Sequence, residues 1–284
     1  FRVCMLRNLI PKSVSAVYKR TMKIIPVPAY PDNLMYVIID DQGTNECAVV
    51  DPRVVQNLEH EVKKHPGIKV TACFVTHHHM DHCAEASKIR SIFGSHVKIY
   101  GNDSKRIPGQ TDSTTNGGEF SLGSLNVHTF HTPGHTTSHC CYFLIDPKTG
   151  DKAVFTGDTL FIAGCGRLFE GTPEQMDNSL NKLLGGLPDD TKVYCGHEYT
   201  VANLQFAQSV EPNNSAVINK LKWAREMRAA NEWTVPSTIG EEKTFNPFMR
   251  VREPSLQSVT GKTNPVEVLK IVRDMKNNFT PPKL

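Results

Sequence analysis

Four histidines and one aspartate fall within six residues, the HHHMDH run at 77–82, directly after an apolar run at 68–75. A lone histidine is usually an ordinary core or surface residue, but four of them at the end of a buried strand point to metal binding. Imidazole suits zinc, iron, cobalt and manganese, and carboxylates add hard oxygen ligands. The run therefore predicts a metal centre, and it restricts the fold to one that brings further ligands to the end of this strand.

The spacing within the run predicts two ions rather than one. Alternate side chains of an extended backbone share a face, so His77 and His79 can bind one ion while His78 points away. Asp81 and His82 lie beyond the turn and can face a second ion. Two ions need more ligands than this single loop supplies.

Three later apolar segments end in the same way. His135 follows Thr-Pro-Gly, and Asp158 and His197 each follow a glycine. Loops at strand ends hold functional residues on a rigid frame, and Asp158 is the natural bridge because its two oxygens can divide between two ions. Asp81 and Asp158 are also the predicted catalytic carboxylates. The predicted metal ligands are His77, His79, Asp81, His82, His135, Asp158 and His197.

The apolar pattern also predicts the organisation of the chain. Alternation and turn residues predict strands at 34–39, 46–50, 68–75, 97–100, 125–129, 140–145, 153–156 and 193–195. Helical spacing predicts helices at 55–65, 84–93, 214–231 and 264–277, the last with Asn264 as N-cap and Pro265 at its first position. Polar, glycine-rich residues 102–118 predict a loop. Three parts are expected: a targeting segment at 1–22, a catalytic domain at 23–197 and a helical substrate-binding domain at 198–284.

Composition narrows the class further. The chain has 284 residues, 39% of them hydrophobic, which predicts a globular protein, and no apolar run of membrane-spanning length occurs. Eight cysteines without a C-x-x-C pair indicate reduced thiols rather than a disulfide scaffold. The net charge of +3 is uneven, with −7 over residues 32–200 and +4 over residues 201–284. An acidic middle suits cations, and a basic tail suits an anionic ligand.

The first residues predict a destination. Residues 1–31 contain six basic residues and no acidic one, a composition typical of a mitochondrial presequence. Met22 offers a second start that would give a cytosolic form. The expected locations are the mitochondrial matrix, the cytoplasm or both.

Several motifs together resemble one family. The segment from Thr76 to His82 resembles the H-x-H-x-D-H signature of the metallo-β-lactamase fold, and the match continues in order through TPGH at 132–135, FTGD at 155–158 and CGHEY at 195–199. The order and spacing are similar to glyoxalase II, the hydroxyacylglutathione hydrolase family, from about residue 22 to the end. This resemblance implies an α/β fold, a four-layer αββα sandwich followed by a smaller α-helical domain.

The resemblance also implies the chemistry. His77, His79 and His135 would hold the first of two divalent ions per chain, and Asp158 would bridge it to the second, held by Asp81, His82 and His197. Zinc is the first expectation, with iron or manganese as alternatives. The reaction would be hydrolysis of S-D-lactoylglutathione to D-lactate and glutathione, in methylglyoxal detoxification. The expected partner is this small glutathione thioester, without nucleic acid or membrane, and the chain is expected to be a monomer.

The same family suggests a glutathione site, made by Arg167, Leu168, Phe169, His197, Glu198, Tyr199, Arg273 and Lys276. Independently, Lys270, Arg273 and Lys276 are spaced three apart and predict a cationic helix face that suits carboxylates. Many relatives have Tyr in place of Phe169 and Lys in place of Arg167. Phenylalanine lacks the hydroxyl group, so a lower substrate affinity is expected.

Three other functions compete with this hypothesis. A persulfide dioxygenase of the same fold needs only one iron ion, whereas this chain has ligands for two. A nucleic-acid-processing hydrolase of this fold should carry inserted domains and a more basic surface around the metals. A protein that binds metal or glutathione without turnover would not need all seven ligands.

Overall fold

The computed structural model describes residues 22–280. The N-terminal half of this range forms a first six-stranded sheet. Its strands, in sequence and in spatial order, are β1 (Met22–Pro28), β2 (Leu34–Asp40), β3 (Glu46–Val50), β4 (Lys69–Phe74), β5 (Lys98–Gly101) and β6 (Asp112–Ser113). Strands β1 to β3 are antiparallel, and β3 to β6 run parallel. The predicted targeting segment at 1–22 lies outside the described residues, apart from Met22.

A second six-stranded sheet faces the first. Its strands are β7 (Gly118–Leu122), β8 (Leu125–His131), β9 (Cys140–Ile145), β10 (Lys152–Gly157), β13 (Lys192–Cys195) and β14 (Ser237–Thr238), in the order β14-β13-β10-β9-β8-β7. A small separate hairpin is formed by β11 (Leu160–Phe161) and β12 (Gly164–Cys165). Strand β14 comes from the part of the chain after residue 197, called here the C-terminal segment, so that segment completes this sheet.

Helices of the described chain lie mainly on the outer faces of the two sheets, and α2 lies at the edge. They are α1 (Val55–Lys63), α2 (Met80–Cys83), α3 (Ile89–Phe93), α4 (Pro173–Asp177), which continues as a π-helical turn at Asn178–Leu184, α5 (Thr200–Val210), α6 (Ser215–Ala229), α7 (Ile239–Phe245), α8 (Pro254–Thr260) and α9 (Pro265–Asn277). Within residues 22–280, none of these helices is both long and apolar enough to cross a bilayer.

The layers follow from strands that are apolar on both faces. Every residue of β2 is buried, because Tyr36 and Ile38 pack between the sheets while Val37 and Ile39 pack beneath α1 and α3. On the far side, the second sheet packs against α4 and α7 to α9. The predicted four-layer αββα sandwich with additional C-terminal helices is therefore confirmed.

The topology brings five strand ends to one edge. Strands β3 and β4 are parallel in the first sheet, and β10 and β13 are parallel in the second. Strand β8 runs in the direction of β10, because both are antiparallel to β9. The loops that follow these carboxyl ends therefore lie together at the same edge of the sandwich.

Two local predictions were wrong. The helix expected at 84–93 begins only at Ala86, as a 3-10 turn at Ala86–Lys88 that leads into α3, and a break at residues 84–85 separates it from α2. Glu85 causes the break, because its backbone N–H donates to the Pro52 carbonyl and its carboxylate accepts from the Val55 N–H at the start of α1. The expected loop at 102–118 contains the short strand β6, which extends the first sheet.

The last helix agrees with its prediction. Helix α9 begins at Pro265, and the Asn264 side chain caps it by accepting from the Val266 and Glu267 N–H groups at 3.0 and 3.4 Å.

Each of the seven cysteines in the described part of the chain is a free, buried thiol.

Candidate metal centre and substrate cavity

A first group of metal-donor atoms comes from three histidines. His79 Nδ1 lies 3.0 Å from His77 Nε2 and 3.0 Å from His135 Nε2. His77 and His79 follow β4, and His135 follows β8, so the two sheets meet at this point. The three ring nitrogens converge on one point, as the ligands of a single cation would.

A second group lies beside the first. His82 Nε2 is 3.3 Å from His197 Nε2, and Asp81 Oδ2 is 3.5 Å from His197 Nε2 and 4.0 Å from His82 Nε2. Asp81 and His82 lie on the short helix α2, directly beyond the first group, and His197 follows β13. These three side chains form another set of atoms able to hold a metal ion.

Asp158 lies between the two groups. Its Oδ2 is 3.5 Å from His135 Nε2, and its Oδ1 is 3.2 Å from His82 Nε2 and 3.6 Å from His197 Nε2. Oδ1 is buried and has no hydrogen-bond donor among the described residues. A buried carboxylate oxygen without a partner is costly, so its position suits a bound cation. All seven residues predicted as ligands are therefore brought together here.

The electrostatics favour the ligand-competent forms of His77 and of the two carboxylates. Burial, reinforced by the neighbouring histidines, holds the pKa of His77 well below its usual range, so its ring nitrogens remain neutral. Burial alone would raise the pKa of Asp158, but the imidazoles of His82, His197 and His135 overcome it and hold that pKa well below normal. The bond with His197 lowers the pKa of Asp81 to about 2. Both carboxylates are therefore ionised.

Two supporting residues escaped sequence reasoning. Asp51 follows β3 and accepts from His82 Nδ1 at 2.9 Å, which turns His82 Nε2 toward the second group. His139 is fully buried, and its Nε2 accepts from the Asp158 N–H at 3.2 Å. Asp51 carried a usable signal, since it is another carboxylate at the end of an apolar strand. His139 carried none, because it stands before a strand rather than after one.

A cavity of about 460 Å³ opens beside the two donor groups. Helix α9 contributes Arg273 and Lys276, hairpin β11–β12 contributes Phe161 and Cys165, and the start of α5 contributes Asn203. The other lining residues are His79, Asp81, His135, Asp158, Gly166, Arg167, Phe169, His197, Tyr199, Ala202, Asn277 and Phe279. The hairpin, α5 and α9 thus form the wall of the cavity away from the donor groups.

Two of the three cations of α9, Arg273 and Lys276, face this cavity without an acidic partner in residues 22–280. Arg273 is only 6% exposed, and its Nη1 donates to the Cys165 carbonyl at 2.7 Å. Lys276 Nζ donates to the Ala202 carbonyl at 3.1 Å. Burial and the nearby Arg273 lower the pKa of Lys276 to about 8. The cavity therefore has an electropositive end that suits an anionic ligand.

Most of the predicted substrate-binding residues line this cavity, but two do not. The cavity wall includes Arg167, Phe169, His197, Tyr199, Arg273 and Lys276. Leu168 packs instead against the apolar cluster beneath α9. The Glu198 carboxylate accepts from the Thr234 N–H and hydroxyl at 2.8 and 2.7 Å. In both cases the neighbouring residue along the chain faces the cavity, and backbone alternation turns these side chains away.

The predicted row of three cations is also incomplete. Lys270 points outward and pairs with Asp274 at 2.8 Å. Residues spaced three apart on a helix drift by about 60° per step, so the first and third members of such a row lie on different faces. Arg273 and Lys276 alone reach the cavity.

The hairpin β11–β12 is held by side chains of the C-terminal segment that bind its backbone. Asn203 Nδ2 donates to the Ile162 carbonyl at 3.1 Å, and Asn246 Nδ2 donates to the Phe161 and Gly164 carbonyls at 3.2 and 3.1 Å. The Glu242 carboxylate accepts from the Ala163 N–H at 2.9 Å. Burial raises the pKa of Glu242 to about 7, although hydrogen bonds from Ser237, Asn246 and the Ala163 N–H oppose the shift.

Comparison with known proteins agrees with the fold and the donor groups. A family model for the metallo-β-lactamase superfamily matches residues 32–197, and a model for the hydroxyacylglutathione hydrolase C-terminus matches residues 198–279. The fold and the paired donor groups thus define a metalloprotein of the metallo-β-lactamase type, and the cluster of histidines and aspartates serves divalent metal ions.

Individual relatives narrow the class. A cytoplasmic hydroxyacylglutathione hydrolase of Arabidopsis thaliana is 45% identical over 259 residues, which cover 91% of this chain and 99% of that protein. A hydroxyacylglutathione hydrolase of Dictyostelium discoideum is 40% identical and covers 91% and 100%. The crystal structure of ETHE1 from Myxococcus xanthus superposes with a TM-score of 0.63 at 25% identity, over 92% of both chains. The chain belongs to the hydroxyacylglutathione hydrolase family, also called glyoxalase II, within the metallo-β-lactamase superfamily.

Proposed function

We propose that this protein hydrolyses S-(2-hydroxyacyl)glutathione thioesters, with S-D-lactoylglutathione as substrate and D-lactate and glutathione as products, in methylglyoxal detoxification. The observation that carries the proposal is the cavity itself, which is lined by five of the seven clustered metal donors and by Arg273 and Lys276, two cations without an acidic partner among the described residues. This arrangement matches a substrate with a thioester at one end and carboxylates at the other. Family membership points to the same reaction.

The donor groups fit two divalent ions. His77, His79 and His135 would hold the first, Asp81, His82 and His197 would hold the second, and Asp158, whose Oδ1 lacks a hydrogen-bond partner among the described residues, would contribute to both. Zinc is the ion proposed, because it binds the imidazole nitrogens and carboxylate oxygens that this site would offer. Divalent ions at such a site supply Lewis acidity, which lowers the pKa of water and polarises a carbonyl group.

The residues of the chain bind and orient the substrate. Arg273 and Lys276 would hold the carboxylates of glutathione, and Arg167 lies exposed at the cavity wall, where it can add a third positive charge. The Tyr199 ring stacks on the His197 ring, with the two centroids 4.7 Å apart and the planes inclined by 3°. Tyr199 therefore holds this metal-binding histidine in place while it faces the substrate. The leaving group is a thiolate with a thiol pKa of about 8.5. It needs no strong general acid, and ionised Asp81 and Asp158 offer none.

The deciding experiment measures hydrolysis of S-D-lactoylglutathione by the purified protein together with its metal content. Turnover at close to two metals per chain, abolished by a chelator, is expected. No turnover at full two-metal loading would overturn the substrate assignment. A single iron ion per chain with no hydrolysis would favour the dioxygenase instead. Two metals with glutathione binding but no turnover of any thioester would favour a binding protein.

The compartment and the assembly state belong to the same proposal. The basic composition of residues 1–31 supports mitochondrial import, with a cytosolic form that starts at Met22. Fluorescent fusions with and without the first 21 residues should therefore differ in location. Light scattering should give the mass of a single chain, and a dimer mass would overturn the proposed monomer.

A further inference from the structure

A polar network on the outer side of the first donor group joins four segments that are far apart in the sequence. At its centre, Arg106, from the polar segment 102–118, forms an ion pair with Glu170. Arg106 Nε donates to Asp103 Oδ2 at 2.6 Å, and Arg106 Nη1 donates to His78 Nε2 at 3.0 Å. The Glu170 carboxylate also accepts from the Thr137 N–H and hydroxyl at 2.8 and 3.0 Å. The network gives His78 a partner outside the donor groups.

Three members of the network lie within two residues of a site residue along the chain. His78 precedes His79, Thr137 follows His135 by two residues, and Glu170 follows Phe169. The ion pair therefore ties together three loops that approach the cavity from different strands. Isolated surface ion pairs contribute little, but a carboxylate that accepts from several donors within a network is held more firmly. Arg106, the main cause, lowers the pKa of Glu170 to about 2, so the carboxylate stays charged.

The loop at 167–171 is also held through its backbone. Its backbone pairs with the chain around His135: the Phe169 N–H donates to the His135 carbonyl at 3.2 Å, and the Gly171 N–H donates to the Gly134 carbonyl at 3.1 Å. The Arg167 carbonyl lies 2.9 Å from His135 Nδ1. The Phe169 ring then lies 5.7 Å from the His79 ring and 5.2 Å from the His135 ring.

The Phe169 side chain, unlike its backbone, is held only weakly by its surroundings. Its side chain is 62% exposed, so packing alone does not fix the ring over the first donor group. We propose that Arg106 and Glu170 are positioning residues, whose ion pair holds the 167–171 loop and its Phe169 ring at the mouth of the cavity. The pair touches neither a donor atom nor the cavity and acts through the loop.

The role in substrate binding rests on the proposed function, but the loop itself can be tested without it. Arg167 is exposed and provides a trypsin site within the loop. In Glu170→Gln, which keeps the size of the side chain but loses its charge, trypsin should cut after Arg167 at least about fivefold faster than in the wild type, because the open form of the loop is more populated. The matched control is Glu267→Gln, which breaks the exposed Lys262–Glu267 pair in the C-terminal segment.

The kinetic arm separates positioning from folding. Glu170→Gln should raise KM for the thioester by about three- to tenfold, with kcat within about twofold and metal content unchanged. Arg106→Gln should do the same, the double variant should be no worse than either single one, and Arg106→Lys should recover part of the affinity. Cleavage at the wild-type rate would overturn the proposal. Faster cleavage with an unchanged KM would overturn the role in substrate binding. If the wild type hydrolyses no thioester, the proposed function fails while the cleavage result still decides the ion pair.

Discussion

Asp158 illustrates how much one side chain can determine at this site. Its two oxygens face different donor groups, and its backbone N–H is fixed by buried His139. Its charge is maintained by surrounding imidazoles even though it is buried. Asp158 therefore lies between the two donor groups and places its negative charge next to both.

Replacement of Asp158 by asparagine should remove that link. In Asp158→Asn the amide nitrogen presents a donor to one of the two groups, so we expect at least one metal to be lost and turnover to fall by about three orders of magnitude or more. Metal content and kcat should be measured on the same sample. Wild-type activity with two metals per chain would show that Asp158 does not bridge.

Arg273 offers a contrasting prediction, because it is far from the reacting end of the substrate. Arg273→Ala should raise KM for the thioester about tenfold or more with a small change in kcat, since it removes binding shared by ground and transition states. Lys270→Ala is the matched control, because Lys270 lies on the same helix but points outward to Asp274. Equal KM values for both variants and the wild type would contradict glutathione binding by α9.

At the scale of the element, strand ends were the most predictable feature. Apolar runs followed directly by histidine or aspartate identified seven residues that do converge, because the topology carries β4, β8, β10 and β13 to one edge. The Asn-Pro start of α9 was equally readable, since capping is a local interaction. The directions of Leu168 and Glu198 were not, because a neighbour of a site residue can face either way until the tertiary packing is known.

Helix α7 supports a prediction on pH dependence. Glu242 has a pKa of about 7 in the folded chain against an ordinary value of 4.5. Between these values the folded protein binds more protons than the unfolded one, so this group lowers the free energy of unfolding as pH rises from about 4.5 to 7. Glu242→Gln imitates the protonated form and should remove a loss on the order of 2–3 kcal/mol.

The measurement compares melting temperatures of the wild type and Glu242→Gln at pH 5.5 and pH 8. Titration of the metal ligands is common to both proteins and cancels in the difference. The variant should gain relative to the wild type at the higher pH. Glu226→Gln, at an exposed position on α6, should show no such gain, and an identical pH profile for Glu242→Gln would mean that the buried carboxyl does not change protonation.

At the scale of the whole molecule, the C-terminal segment and the sandwich share their interior. One apolar cluster contains Val154 and Val193 from the second sheet together with Phe248 and Val272 from the C-terminal segment. The predicted division at residue 197 therefore crosses a continuous core, and β14 of the later segment completes the second sheet. The boundary between a catalytic and a substrate-binding domain remains a prediction.

Because the donor groups join loops from both sheets, and both sheets share a core with the helices, metal binding should stabilise the entire fold. Removal of the metals by a chelator should lower the melting temperature by about 10 °C or more, since each ion present at 1,000 times its Kd contributes roughly 4 kcal/mol. Differential scanning calorimetry with and without chelator gives the shift, and zinc addition should restore it. No shift would show that the centre does not contribute to stability.

The hairpin β11–β12 gives engineers an unusual freedom. Its supports from Asn203, Asn246 and Glu242 reach only main-chain atoms, so they are indifferent to the identity of its side chains. Positions 161 and 165 line the cavity but are also buried in apolar clusters, so a library there should keep to apolar residues of similar size. Gly164 must be left alone, since a Cβ there would lie 2.5 Å from Asn203 Nδ2. Substitutions at these two positions would then alter the acyl selectivity while the hydrogen bonds to the hairpin backbone are kept.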